Sequence, residues 1–347
     1  MNVSEFDFDL PDELVAQEPP AERGASRLLV LDRASGLTTH ARFGELARFL
    51  RAGDLLVLNN TRVFPARLLG RRVPSGGAVE CLLLRQRSPA EWEALMHPGQ
   101  KLKPGAVVAF ERDGVRIDGE VLARHFHGRR TIRLSTAGGD LAAAIDRIGR
   151  IPLPPYIRRD ERPSDRERYQ TVYARDPGSV AAPTAGLHFT AGLLAGLEAR
   201  GIACAEITLH VGYGTFKPVR VERVEDHAVD PESFTVPAAA ALALTAARRE
   251  GRRIIAVGTT TTRALESLVV DPDGGIAAAS GETRLFIHPG HEFRMVSGMV
   301  TNFHLPKSSL LMLVAAFGGT PQVMAAYRDA VTAGYRFYSY GDAMLIT

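Results

Sequence analysis

Residues 54–70 read DLLVLNNTRVFPARLLG, a β-type apolar run that stops at the polar string Asn59-Asn60-Thr61-Arg62 and gives way to a new pattern. From about Leu68 to Ser135, short apolar segments (VECLLLR, EWEALM, AVVAF, VRIDGEVLARHF, RRTIRLS) alternate with PSGG, HPGQ, KPG and RDG turns, the spacing of successive hairpins. This predicts a small antiparallel barrel-like unit set into a larger one. Beyond Arg150 helices and strands alternate. Thr190 is placed to cap AGLLAGLEAR and Gly201 to end it before the strand IACAEITLHV. PAAAALALTAARRE is a helix closed by Gly251, and RRIIAVGTTTTRALESL is a strand, a polar turn and a helix. Ser308 caps SSLLMLVAAFG, Thr320 and Pro321 open a helix that Gly334 ends, and the coda YRFYSYGDAMLI reads as strand. The expected fold is mixed α/β. Its main domain is discontinuous, residues 1–67 and 150–347, and carries an inserted β domain at 68–149. A length of 347 residues, above the roughly 250–300 at which single cores stop growing, independently asks for two units.

Composition excludes several classes. With 45% hydrophobic and 23% charged residues, the chain is neither collagenous, nor coiled coil, nor largely disordered. Its longest aliphatic and aromatic run, Leu310 to Phe317, is less than half of the ~18–20 residues needed to cross a bilayer, so a core helix is expected there. The acidic start MNVSEFDFDLPDELV lacks the basic and apolar segments of a secretory leader, which predicts a cytoplasmic protein without membrane attachment. Cys81 and Cys204 have no CxxC partner, and Cys204 sits in a strand-like segment, so both are expected to be inert. His227, Asp230 and Glu232 form an HxxDxE string, but Pro231 interrupts it and no helix presents it, so no metal site is expected. Gly212-Tyr213-Gly214 lacks the third glycine of a dinucleotide loop, and no GxxxxGK[ST] occurs. The net charge is +3, and only four of the 42 basic side chains are lysines. An arginine excess also follows from a GC-rich genome, while a polyanion partner needs only a local patch of roughly six to ten contacts.

Polar clusters interrupt otherwise apolar segments: Asn59 to Arg62, Pro183-Thr184-Ala185-Gly186-Leu187-His188-Phe189-Thr190, Thr208 to Phe216, and Thr301-Asn302-Phe303-His304-Leu305-Pro306. A fifth, Val257-Gly258-Thr259-Thr260, falls where a strand meets a helix N-terminus, whose N–H groups suit a carboxylate or phosphate; Arg263 one turn later offers a charge-assisted fork. His188 and His210 lie on consecutive elements, one helix apart, which allows a shared cleft. Each alone also fits a hydrogen-bonded core histidine. Together they offer proton transfer near neutrality, worth typically 10²–10⁴-fold.

Taken together, SRLLVLDR, GDLLVLNNTRVFPARL, GRIPLPPYIRR, SVAAPTAGLHFT, TLHVGYGTFKPV, AVGTTTTRALES, LFIHPGHEFRMV, TNFHLPKSSLLMLVAAFGG and YRFYSYGDAMLI resemble, in order, the S-adenosylmethionine:tRNA ribosyltransferase-isomerase family of queuosine biosynthesis. The resemblance covers nearly the whole chain and is weakest over about 68–149. Three positions depart from the family pattern: Asp230 in place of a second histidine after His227, Tyr213 in place of an apolar residue, and Glu282 in place of a tryptophan.

The resemblance implies that the α/β domain is catalytic. It implies transfer and isomerisation of the ribosyl part of S-adenosylmethionine onto 7-aminomethyl-7-deazaguanine at the tRNA wobble position, giving epoxyqueuosine-tRNA, adenine and methionine. S-adenosylmethionine is then a consumed substrate, no metal or other cofactor is required, and the protein is a monomer whose partner is the tRNA anticodon stem-loop. The sulfonium acidifies the adjacent ribose carbon, so a base can generate an ylide, and an acid eases adenine departure. His188 and His210 are the expected catalytic pair, in either order. Donors such as Asn60, Arg62, Asn302 or His304 are expected for the charge developing on the ring oxygen. Thr259, Thr260 and Arg263 are expected at the methionine carboxylate or an RNA phosphate, and Asp342 at the amine or sugar hydroxyls. Thr184, Gly186 and Gly212 complete the expected binding set. Arg129 and Arg130, Arg158 and Arg159, and Arg166 and Arg168 are candidates for phosphate contacts, with Tyr156 and Tyr169 for base stacking.

Overall fold

In the computed structural model, which describes residues 1–347, Leu55–Asn59 lies inside a nine-stranded sheet, next to its central strand. The side chain of Phe216, part of one polar cluster, lies outside the described residues. Ala203–Leu209, Leu55–Asn59, Ile254–Val257 and Gly298–Asn302 run parallel side by side. Ala343–Ile346 is antiparallel to Gly298–Asn302 and parallel to Arg27–Leu31, which pairs with the edge strand Thr38–Arg42. On the other flank, Glu232–Val236 and Ala279–Thr283 extend the sheet antiparallel.

A parallel sheet covered on both faces needs strands that are apolar on both sides. Leu55 and Val57 join the larger core with the helices Ala238–Arg249, Ser309–Gly318 and Thr320–Thr332, while Leu56 and Leu58 join a second core with Phe43, Phe189 and Leu197. Period-two geometry thus sends alternate residues of one apolar run to opposite layers. The expected caps are in place: Thr190 Oγ1 accepts from the Leu193 N–H at 3.0 Å, and Ser308 Oγ from that of Leu311 at 3.2 Å. The coda is strand only over Ala343–Ile346; the residues before it form a turn around Tyr338. Leu310 to Phe317 lies inside Ser309–Gly318, and among the described residues no single helix is long and apolar enough to cross a membrane.

The six strands from Arg67–Val73 to Arg129–Ser135 close into an antiparallel barrel. Asp113 and Gly114, both at positive φ, make the two-residue turn between Val107–Arg112 and Val115–Arg124, as expected for Asp-Gly. Leu68, Cys81, Leu83, Phe110, Ile117 and Ile132 point inward to a core of their own. The hairpin reading of this segment missed a helix, Leu141–Ile148, capped by Asp140, whose Ala144, Ile145 and Ile148 pack on the barrel core. The chain enters and leaves the barrel at adjacent points, where Arg67 and Arg150 exchange backbone hydrogen bonds of 3.1 and 2.9 Å.

Candidate active site

The segments that leave the parallel strands converge on a cavity of ≈ 350 Å³, lined by Thr184, Val211, Thr259, Thr260, Asn302, His304 and Tyr338, among others. Ligands of open α/β sheets bind at these carboxyl ends. Gly258, at φ 95°, turns the chain from strand into the helix Thr259–Glu266. Thr261 and Thr262 turn their hydroxyls back onto the carbonyls of Val257 and Gly258, at 2.6 and 3.2 Å. Thr259 and Thr260 face the cavity instead, and the buried Thr260 Oγ1 has no hydrogen-bond partner among the described residues. Asn302 Nδ2 donates to the Tyr338 carbonyl at 2.9 Å, while its Oδ1 is buried and unpartnered, as is the Tyr338 hydroxyl. Three orphaned polar groups around one hollow ask for a polar ligand, because an unmade buried hydrogen bond costs about 1–3 kcal/mol.

The histidines divide between sites. His188 is buried; its Nδ1 lies 3.0 Å from Ser26 Oγ and its Nε2 3.1 Å from Asn302 Nδ2. Burial lowers its pKa to about 4, against a smaller opposing pull from Asp342, so the ring is neutral. It sits behind Asn302 and does not line the cavity. His210 lies at the wall of a separate, open cleft of ≈ 1270 Å³ between barrel and sheet, its Nδ1 2.8 Å from Thr61 Oγ1. Its pKa is also lowered, by burial first, with Asp176 opposing. The shared cleft expected of His188 and His210 is therefore corrected, because the strand ends aim them into different spaces. The imidazole that does line the cavity is His304, whose Nε2 is 2.8 Å from Thr301 Oγ1 and whose pKa burial lowers to about 3. Val211 alone among these residues lines both spaces.

Other expected contacts are occupied elsewhere. Both Asp342 oxygens are taken by the backbone N–H groups of Arg27 and Arg336, each at 2.8 Å, and by the Arg27 guanidinium, so this carboxylate does not reach for a sugar. Arg263 turns away from the helix N-terminus to buried Glu232, 2.5 Å, and to the Leu285 carbonyl, 2.9 Å. Asn60 is buried between Glu206 and Thr208. Gly186 is a packing glycine: a Cβ there would come within 2.1 Å of the Tyr173 hydroxyl and 2.7 Å of Thr171. Gly212 lines the cleft and donates its N–H to Glu232 at 3.0 Å. Arg62 is exposed in a neighbouring hollow.

Of the basic strings, Arg130 is buried on backbone carbonyls and Arg159 is clamped to Asp165. Tyr169 is fully buried, which removes it as a stacking platform, and Tyr156 lines the small cavity, stacked on Tyr338 at 3.9 Å. Asp230 and Glu232 of the HxxDxE string spend their carboxylates on cations: Asp230 on Lys217 at 2.6 Å and on Arg129 of the barrel at 2.8 Å, Glu232 on Arg263. Two departures from the family pattern thus tie barrel to sheet, since Glu282 pairs with Arg85 at 2.9 Å.

The sequence reading passed over Lys217 and Lys307, which both line the small cavity. Their signal was rarity, two of only four lysines in an arginine-rich chain.

A pocket with unpartnered polar groups at the strand ends, sharing one wall residue with a larger cleft under the barrel, is an arrangement suited to an enzyme that brings two substrates together. The chain belongs to the family described as queuosine biosynthesis protein, whose model matches residues 3–346. It is 49% identical over 346 residues to an S-adenosylmethionine:tRNA ribosyltransferase-isomerase from Heliobacterium modesticaldum, covering 100% of both chains. It is 52% identical over 349 residues to one of the same description from Anaeromyxobacter sp. strain Fw109-5, covering 100% of this chain and 99% of the relative. A crystal structure of S-adenosylmethionine tRNA ribosyltransferase from Thermotoga maritima matches at 38% identity and TM-score 0.56, covering 99% of this chain and 100% of that one.

Proposed function

We propose that the small cavity holds S-adenosylmethionine and that the ribosyl group passes to an RNA-borne amine on the far side of Val211. The reaction is the transfer and isomerisation of the ribosyl part of S-adenosylmethionine onto 7-aminomethyl-7-deazaguanine at the tRNA wobble position, yielding epoxyqueuosine-tRNA, adenine and methionine. The observation that carries the site assignment is the set of three orphaned groups, Thr260 Oγ1, Asn302 Oδ1 and Tyr338 Oη, in a cavity of ≈ 350 Å³. That volume falls in the range of small-molecule sites, about 300–1,000 Å³. S-adenosylmethionine supplies polar partners at both its adenosine and methionine ends.

The head group's charges fit the cavity mouth, where Lys217 beside Asp230 and Lys307 beside Asp7 offer both signs, and the N–H groups at Thr259 and Thr260 favour a carboxylate. Asn302, fixed by Tyr338 and His188, is placed to steady charge developing on the sugar. His188 acts as a positioning residue through Asn302. His304 on the cavity side and His210 on the cleft side, both neutral, are the groups that move protons, from the acidified ribose carbon and from the attacking amine. S-adenosylmethionine is consumed, and acid–base chemistry on a sulfonium needs neither a metal nor a redox group. We also assign residues 68–149 as a domain inserted into the body of 1–67 and 150–347, supported by the separate barrel core and the Arg67/Arg150 neck. The enzyme is assigned to the cytosol as a monomer, with light scattering as the check on its mass.

Incubation with S-adenosylmethionine and an anticodon stem-loop carrying the aminomethyl base is expected to release adenine and methionine in equal amounts. Release of S-adenosylhomocysteine would make the chain a methyltransferase, and RNA binding without turnover would make it a binding module.

A further inference from the structure

We propose that the cleft between barrel and sheet is the docking surface for a single-stranded RNA loop, with an unstacked purine held against Trp92 on the way to His210. This rests on the reading that an RNA-borne amine is the acceptor. Size comes first. At ≈ 1270 Å³ the cleft exceeds the range of about 300–1,000 Å³ typical of small-molecule sites. It does not end there: Phe64, Pro65, Asp146 and Pro177 line both it and a second hollow of ≈ 340 Å³, so the two adjoin along one groove wall.

The groove carries what a single strand needs, a stacking face and flexible cations. Trp92, the only tryptophan, lies on it with Phe64, ring centroids 5.6 Å apart and planes inclined 35°. Its indole Nε1 is buried without a hydrogen-bond partner among the described residues, a donor lacking an acceptor. Arg62 and Arg175 line the second hollow. Arg62 is exposed and pairs with no carboxylate among the described residues, and Arg175 is 65% exposed, its pairs with Asp176 and Glu206 open to exchange for phosphate. His210 stands in the wall of the groove next to Val211, so a base stacked on Trp92 is directed toward the S-adenosylmethionine cavity. The rival arginines near Tyr169 do not assemble such a surface, since Arg159 is locked on Asp165 and Tyr169 is buried.

The test measures affinity for the modified anticodon stem-loop by fluorescence anisotropy across a salt series, with S-adenosylmethionine binding followed separately by calorimetry. The doubly substituted Arg62→Ala, Arg175→Ala protein is expected to bind RNA at least tenfold more weakly, with the slope of log affinity against log salt flattened by about 0.7 per arginine. Trp92→Ala is expected to lose about 5- to 100-fold and Trp92→Phe to recover most of it, since stacking tolerates any flat ring. In all of these S-adenosylmethionine affinity stays at the wild-type value. Wild-type RNA affinity in both the arginine double variant and Trp92→Ala, with the salt slope of the double variant and turnover unchanged, would place docking elsewhere and overturn the proposal. A wild-type protein that neither binds the stem-loop nor releases adenine would instead overturn the functional reading on which it stands.

Discussion

The small cavity and the large cleft meet at Val211 but are built by different means. Around the cavity, polar atoms sit on strand ends and a helix N-terminus, each within a few residues of rigid backbone: Thr260 three residues past Val257, Asn302 at the last position of its strand. The cleft is assembled from parts far apart in the chain, with Trp92 and Arg85 from the barrel facing His210 and Glu282 from the sheet. On the proposed reading, chemistry that needs exact placement is held by secondary structure, and recognition of a large partner by the gap between two cores. The two regions are therefore expected to respond differently to substitution.

The largest effect is expected at the cavity. Asn302→Ala removes the residue that links His188, Tyr338 and the proposed sugar site, and single-turnover adenine release should fall by about 10²–10³-fold, as for other preorganised donors. Stem-loop affinity should hold; a parallel loss of RNA binding would mean that cavity and cleft are one site. Acid should act on the cavity's supports next. The unfolded chain protonates His188 near the ordinary value of 6.5 and the folded chain only near 4. The unfolded state therefore binds more protons across this interval, and stability falls as pH drops from about 6.5 toward 4, by roughly 3 kcal/mol. His304 pulls in the same direction. Denaturant midpoints between pH 7 and 4.5 read this, and His188→Asn should flatten the dependence; an unchanged slope would show that His188 is not held neutral.

On the cleft side, His210→Ala is expected to lower turnover by about 10²-fold while leaving S-adenosylmethionine affinity intact. An unaltered single-turnover rate would remove it from the proton path. Gly186→Ala should cost about 1–3 kcal/mol in stability, because the added methyl has to displace the Tyr173 hydroxyl or Thr171. Wild-type melting with weakened substrate binding would instead return Gly186 to the binding set. Smallest of all, Asp230→Asn breaks the tie from Lys217 to Arg129 and should change stability by no more than about 1 kcal/mol, as partly exposed ion pairs do.

Local chemistry was legible in proportion to how local its cause was. The Thr190 and Ser308 caps, the Gly258 turn and the Asp-Gly hairpin each depend on a few consecutive residues and were read in place. The helix Leu141–Ile148 was missed because its Ala144, Ile145 and Ile148 find their partners on barrel strands, not on neighbours in sequence. For the same reason Asp342 and Arg263 looked like ligands. Each carries a charge at a suggestive position, and only the fold reveals that Arg27 and Glu232 already hold them.

By itself, the order of the polar strings determined the family, and the switch from apolar runs to short hairpins and back determined an α/β body carrying a β unit. Both properties are written in period and turn chemistry, which act over a few residues. Which histidine faces the cavity and which the cleft was decided only in three dimensions. His188 reaches Asn302 from more than a hundred residues away in the chain, and a side chain's direction at a strand end is set by the partners that bury it.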